Sequence, residues 1–370
     1  MAWWKTESEV LRICPIVHTH NVRLMYTIDG FPDRIIAIEG KEYLYFGGTS
    51  YLGLQTDAEF QSLFINNIKK YGTAYSASRK SNIRISIFDE VDAYLAKIIG
   101  SEACVTMSSG YLAGQLVCNY FSQPDYQLFY APHTHSALFK NQQELFASWT
   151  ELENAIKQNS NKTVILFLDS IDFHGDNFPD YNFLKNLPLK DIILVVDDSH
   201  GIGITGENGG GSFKLLQSLA TKELLVSCSL GKGFGIQAGA IFGSNNMINA
   251  LKNTQFFGGA SPATPASLAT LKDASSLIAT KRKQLAENMD LFLKNISNRS
   301  LFVYAEGHPT FIFQNEILAN YLQENGIIVT NFRYPTENDS LMSRIVLSAS
   351  HTNEDISRLC NILNSFPIKS

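Results

Sequence analysis

Ile192-Ile193-Leu194-Val195-Val196-Asp197-Asp198-Ser199-His200-Gly201 is the stretch that decides the fold. Five apolar residues run without alternation and stop at an acidic pair. A half-buried strand would alternate, so this run predicts a strand covered on both faces, as in a parallel sheet. Thr163–Leu168 repeats the pattern and also ends in an acid, and Leu224–Cys228 repeats it and ends at Ser229. Ala103–Met107 is a shorter run that leads into Ser108-Ser109-Gly110-Tyr111. Helical spacing lies between such runs. Ile87, Val91, Leu95 and Ile98 or Ile99 mark a helix over Ser86–Ile99, stopped by Gly100, and Leu112–Phe121 reads as another. Strands alternating with helices predict an α/β fold with a mostly parallel sheet.

Outward from this centre the pattern changes. Tyr43–Phe46 reads as a short strand, and residues before it as an N-terminal arm. After Pro262 and Pro265 one long helix is expected over Ala266–Ile296. Strand-like pieces follow at Phe311–Phe313, Ile327–Thr330 and Ile345–Leu347, then a last helix from about Asn353 to Phe366. These give a smaller C-terminal α+β part, with the boundary near 255–290. The division adopted is an arm (1–45), a large part (46–260) and a small part (261–370).

Composition narrows the function classes. The 370 residues carry 30 Lys+Arg against 35 Asp+Glu, a net charge of −5, which argues against a nucleic-acid binder. No apolar run is long enough for a spanning helix, and the acidic start does not read as a signal peptide. Cys14, Cys104, Cys118, Cys228 and Cys360 are scattered without a CxxC pair. They read as buried reduced thiols of a cytoplasmic protein, with no metal site.

Ligands of parallel sheets collect at the carboxyl ends of the strands. Lys232 lies between Gly231 and Gly233 just past one such end. A desolvated lysine with open space around it can bind a flat cofactor covalently. Asp197 could hold a pyridine nitrogen in its protonated form. Ser109-Gly110-Tyr111 opens a helix, whose first N–H groups suit a phosphate. Ser229 could add a hydroxyl.

Taken together, these residues resemble a known family. Ser109-Gly110-Tyr111, Asp197-x-x-His200, Ser229-x-x-Lys232 and Arg344-x6-His351-Thr352 stand in the order and spacing of the α-oxoamine synthases, which are fold-type I enzymes of pyridoxal 5′-phosphate (PLP). Thr49–Leu54 is similar to the family's S-N-D-Y-L-G-L, and Asp197–Gly211 to its D-E-A-H segment with spaced glycines. The resemblance runs from about Tyr43 to the C-terminus. It implies that Lys232 carries PLP and moves the α-proton. It implies that Asp197 pairs with the ring nitrogen, His200 bonds the phenolic oxygen and His135 stacks on the ring, with His133 a rival two residues away. Ser109, Gly110, Tyr111 and Ser229 would hold the phosphate, and Arg344 the carboxylate of an amino acid. Ser170 matches a family serine, although the spacing to Gly175-Asp176 is two residues longer.

The implied activity is a PLP-dependent acyltransferase in a cytoplasmic homodimer. It condenses an amino acid with an acyl thioester, losing CO2, to give an α-amino ketone. An aminotransferase or lyase, and a non-catalytic fold relative, are the alternatives. One region departs from the family. Its glycine-rich loop reads here Tyr71-Gly72-Thr73-Ala74-Tyr75-Ser76-Ala77-Ser78-Arg79, and Ile83 and Phe88 replace a glycine and a histidine downstream. In the family this loop lies on the acyl-donor side, so acyl-CoA use is the open point.

Overall fold

The computed structural model describes residues 25–141, 145–158, 162–173, 177–334 and 336–367. Two strands open the described chain, β1 (Ile35–Ile38) and β2 (Lys41–Phe46). The main sheet follows, built from β3 (Ala103–Met107), β4 (Tyr126–Tyr130), β5 (Thr163–Asp169), β6 (Ile192–Asp197), β7 (Glu223–Ser229) and β8 (Gly239–Gly243). Its order is β3-β8-β7-β6-β5-β4. Strands β4 to β7 are mutually parallel, and β8 runs antiparallel to both β7 and β3. The α/β expectation holds. All six residues of β6 are buried, which is why this strand shows no alternation.

Three strands escaped the sequence reading. β1 is short, β4 is half exposed, and β8 is framed by glycines that weaken any strand signal. Those glycines serve close packing: a Cβ at Gly239 would lie 2.2 Å from the Ser109 carbonyl oxygen.

Apolar side chains cover both faces of the sheet. On one, Leu166, Leu194 and Val226 pack with helix α1 (Ala58–Tyr71) and helix α2 (Ile87–Ile99). On the other, Phe167, Val195 and Leu225 meet helix α3 (Gly110–Phe121). Each such fully buried aliphatic side chain contributes roughly 1.5–3 kcal/mol of transfer free energy. Gly100 ends α2 in the left-handed region, at φ 85°, as its position suggested. The four described cysteines, Cys104, Cys118, Cys228 and Cys360, are buried and free; Cys14 lies outside the described residues.

A second sheet holds β9 (Thr310–Ile312), β10 (Ile327–Arg333) and β11 (Leu341–Val346), in the order β1-β2-β10-β11-β9. β2 pairs with β10 in parallel, Leu44 against Ile327. The end of the expected arm is therefore sheet, joined to strands almost three hundred residues away. Residues 1–24 lie outside the described residues.

The single helix expected over Ala266–Ile296 is two helices, Pro265–Asp273 and Ser275–Asn295. They break at Ala274, at φ −84° and ψ 12°. The first piece is buried nearly all round, whereas the second buries Ile278, Leu285, Asn288 and Phe292 along one side. Their different surroundings require the chain to turn between them. The last helix, Asn353–Asn364, starts with a capping box of Thr352 and Asp355. No described helix is long and apolar enough to cross a membrane.

Candidate active site

The carboxyl ends of β5, β6 and β7 meet at one edge of the main sheet. Asp197 ends β6, is buried, and accepts a hydrogen bond from the Ser199 N–H at 2.8 Å. Asp198 serves the loop instead. Its carboxylate accepts from the Ser170 hydroxyl, from the Ser212 N–H at 2.8 Å and from the Ser212 hydroxyl at 3.0 Å. A Cβ at Gly201 would stand 2.2 Å from Asp198, and one at Gly211 2.0 Å, so the spaced glycines make room for this carboxylate. Burial raises the Asp198 carboxyl to about 6.

His200 lies between two partners. Its Nδ1 is 2.7 Å from the Tyr51 hydroxyl and its Nε2 is 2.8 Å from Lys232 Nζ. Its backbone oxygen accepts from His308 Nε2 at 3.1 Å. Burial, then the Lys232 charge, hold the His200 imidazole well below its ordinary range, so the ring is neutral. His308 is depressed by burial to about 3.

Lys232 leaves the end of β7 through Ser229-Leu230-Gly231. Desolvation lowers its ammonium pKa, while Asp197 and Asp169 act in the opposite direction. A Cβ at Gly233 would come 2.2 Å from the Ile202 carbonyl oxygen, which explains the glycine after the lysine. Ser229 donates its N–H to the Ser199 hydroxyl at 2.8 Å and accepts the Gly231 N–H at 3.2 Å.

Helix α3 meets this loop head-on. Ser109 caps it by accepting the Leu112 N–H at 3.1 Å. A Cβ on Gly110 would sit 2.6 Å from Ser229 Cα, so only glycine lets the helix start approach β7 so closely. Tyr111 is 57% exposed in the single chain.

His135 and Arg344 complete the group. The His135 N–H donates to Asp169 Oδ1 at 2.9 Å, and its Nδ1 accepts the Ala137 N–H at 3.1 Å. That places the ring proton on Nε2, which donates to the Tyr334 hydroxyl at 2.9 Å. The charges of Asp197 and Lys232 both act on His135. Its rival His133 takes a left-handed backbone, at φ 63°. Arg344 on β11 is 8% exposed, and its guanidinium lies 4.8 Å from the centroid of the Phe173 ring. Its Nε is buried without a hydrogen-bond partner among the described residues.

The fold thus collects Lys232, Asp197, His200, His135, Ser229, Ser109, Gly110 and Arg344. Ser170 stands apart, its hydroxyl spent on Asp198. His351 is structural: it accepts the Ser348 N–H and donates to the Tyr45 carbonyl oxygen. Sequence reasoning missed Asp169, Tyr51, Phe173 and His308 as members of this group. Asp169 was visible as the acid ending β5 and Tyr51 lay in the quoted Thr49–Leu54 segment, but nothing local marked His308.

The altered loop is held by other means. Arg79 is buried, bonds Asp92 at 2.8 Å and Thr106 Oγ1 at 3.2 Å, and stacks over Phe88 at 4.8 Å. Tyr75 donates to the Ile83 carbonyl oxygen at 2.8 Å and packs edge-on against Phe88.

The donor set fits PLP: a desolvated lysine beside a carboxylate, a glycine-tight helix start, and a buried guanidinium with a donor to spare. Known proteins agree. The chain is 29% identical over 352 residues to an 8-amino-7-oxononanoate synthase of Buchnera aphidicola, covering 88% of this chain and 90% of that one. The serine palmitoyltransferase of Sphingomonas wittichii superimposes with a TM-score of 0.77 at 17% identity, over 92% of this chain and 91% of that one. A serine palmitoyltransferase solved with PLP gives 0.78 at 16% identity, over 92% of each chain. The fold is that of the fold-type I PLP transferases. With its residues 51–363 matched by the model of aminotransferases class I and II, the chain belongs to that PLP-dependent enzyme family.

Proposed function

We propose that the protein is a PLP-dependent acyltransferase of the α-oxoamine synthase type. It joins an amino acid to an acyl thioester with loss of CO2 and forms an α-amino ketone. The observation that carries this reading is the convergence of Lys232, Asp197 and Arg344, whose buried Nε has no hydrogen-bond partner among the described residues. Likeness to 8-amino-7-oxononanoate synthases over nearly the whole chain supports the reaction class.

When bound, PLP supplies an electron-poor ring that accepts the electron pair released at the substrate's Cα. Lys232 would hold it covalently and carry the proton to and from that carbon. Asp197 would keep the ring nitrogen protonated, and His200 would reach the phenolic oxygen. His135 would cover one ring face. Ser109, Gly110, Tyr111 and Ser229 would take the phosphate, with Ser170 steadying the Asp198 loop behind them. Arg344 would grip the amino acid carboxylate through its fork.

The acyl half narrows the second substrate. Tyr75, Ala77 and Ile83 stand where a glycine-rich loop would admit close backbone approach, and the loop is pinned rather than loose. The reading therefore excludes a free long-chain acyl-CoA and favours a short or carrier-bound acyl group. It also takes the protein as a homodimer whose chain divides into an arm, a large part and a small part at about 46 and 260.

Two assays test this. Borohydride reduction of the yellow holoprotein should fix PLP on the peptide holding Lys232; label elsewhere sinks the assignment. Acyl donors of rising length, offered with the amino acids that perturb the PLP spectrum, should give CO2 release only with short or carrier-bound groups. Keto acid release without condensation would move the protein to the aminotransferases.

A further inference from the structure

The site contains a second carboxyl that the reaction above does not use. Asp169 closes β5 and is the register partner of Asp197 on β6, which in turn pairs with Ser227 on β7. Neighbouring strands lie roughly 4.8 Å apart, and side chains in register share a face. Asp169 and Asp197 therefore stand side by side. Ser170, the next residue, turns the other way and bonds Asp198, as alternation requires. Both carboxyls of the pair are anchored by backbone donors, Asp169 by the His135 N–H at 2.9 Å and Asp197 by the Ser199 N–H at 2.8 Å. Asp197 from β6, Lys232 from beyond β7 and Asp172 from the following loop are the charged groups that act on Asp169, and His135 faces it from beyond β4.

Among the described residues, one lysine, Lys232, faces this carboxyl pair. Two negative charges this close, with Asp197 buried and Asp169 half-buried, cannot both form at small cost, so one proton stays. Burial, and then the Asp197 charge, push the Asp169 carboxyl well above its ordinary range.

We infer that Asp169 is a positioning residue that keeps one proton for the carboxyl pair and pins the backbone of His135. The inference deepens the PLP reading and rests on it for its second half. A neutral Asp169 lets one carboxylate balance one lysine before the cofactor enters. It also links the residue over the ring face to the residue at the ring nitrogen, because Asp169 contacts the backbone of one and the charge of the other. Ser227, with a buried hydroxyl lacking a partner among the described residues, lies on the far side of Asp197 in the same row.

Infrared spectra of the cofactor-free protein at neutral pH test the proton. A protonated carboxyl band is expected in the wild type, lost in Asp169→Asn and kept in Asp198→Asn. The wild-type band needs no variant, so its absence overturns the inference even if a variant fails to fold. Persistence of the band in Asp169→Asn overturns it as well. PLP binding, read by absorption, tests the division of labour. Asp169→Asn keeps an acceptor for His135 and should bind PLP within about threefold of wild type, whereas Asp197→Asn should lose about tenfold or more, the size of a charge-assisted bond. Equal losses would place the charge on both carboxyls and defeat the assignment. A wild type that binds no PLP sinks the cofactor reading and the second half of the inference, while the infrared result still judges the shared proton.

Discussion

The region around Lys232 and the loop around Arg79 are built differently. Around Lys232 the chain uses glycines and backbone donors, so that strand ends, loops and the start of α3 touch within van der Waals distance. Around Arg79 it uses a buried ion pair and stacked rings, with bulk where the resembled family has glycine. The first region leaves donors and acceptors facing a shared space. The second spends its polar groups on itself.

The largest expected effect breaks the first region. Lys232→Ala should cut turnover by about 10³-fold or more, the loss expected when the proton carrier and covalent anchor go together. It should also abolish the reducible PLP label, and a retained label would exonerate another lysine. Arg79→Ala tests the second region through stability. Removing one partner of a buried pair typically costs about 3–5 kcal/mol, which thermal melting would register. An unchanged melting temperature would mean that the loop is not held by Asp92.

Arg344→Lys probes the substrate end of the first region. Replacing the fork by a point charge should cost on the order of 1.5–3 kcal/mol in amino acid binding and leave PLP bound. An unaltered amino acid dissociation constant would place the carboxylate elsewhere. Smaller still, Ile83→Gly should raise turnover with longer acyl donors by roughly the tenfold range that one or two buried methylenes can decide. The bound-PLP spectrum should stay unchanged, and a loss of PLP would show that the two regions are not separable.

A further test is electrostatic. His308 is depressed to about 3 from an ordinary 6.5, so the folded state resists protonating it. The stability of the neutral form is present above pH 6.5 and is lost as pH falls toward 3. His308→Gln keeps a donor for the His200 carbonyl oxygen, and its melting temperature should fall less than that of wild type over this window. Parallel acid limbs in the two proteins would rule out His308 as a contributor.

The two regions were also unequally legible in the sequence. Lys232 between glycines, the Asp197–His200 segment and Ser109-Gly110 could be read because each lies within a few residues of a strand end. Asp169 was in view, but its importance depends on Asp197 being its neighbour across β5 and β6. Arg79 looked like part of a loop; Asp92 and Thr106, which hold it, come from α2 and β3.

The sequence by itself determined the α/β class, the buried run of β6, the two ends of α2 and the order of the cofactor residues. These depend on local patterning, where apolar periodicity and single glycines act within one or two turns. Tertiary structure alone decided that β2 joins β10, that β8 enters the sheet antiparallel, and that His308 and Tyr51 close around His200. Each of these pairings is set by which distant surfaces bury one another and by which buried donors must find acceptors. Those partners lie more than a hundred residues apart, where no local pattern records them.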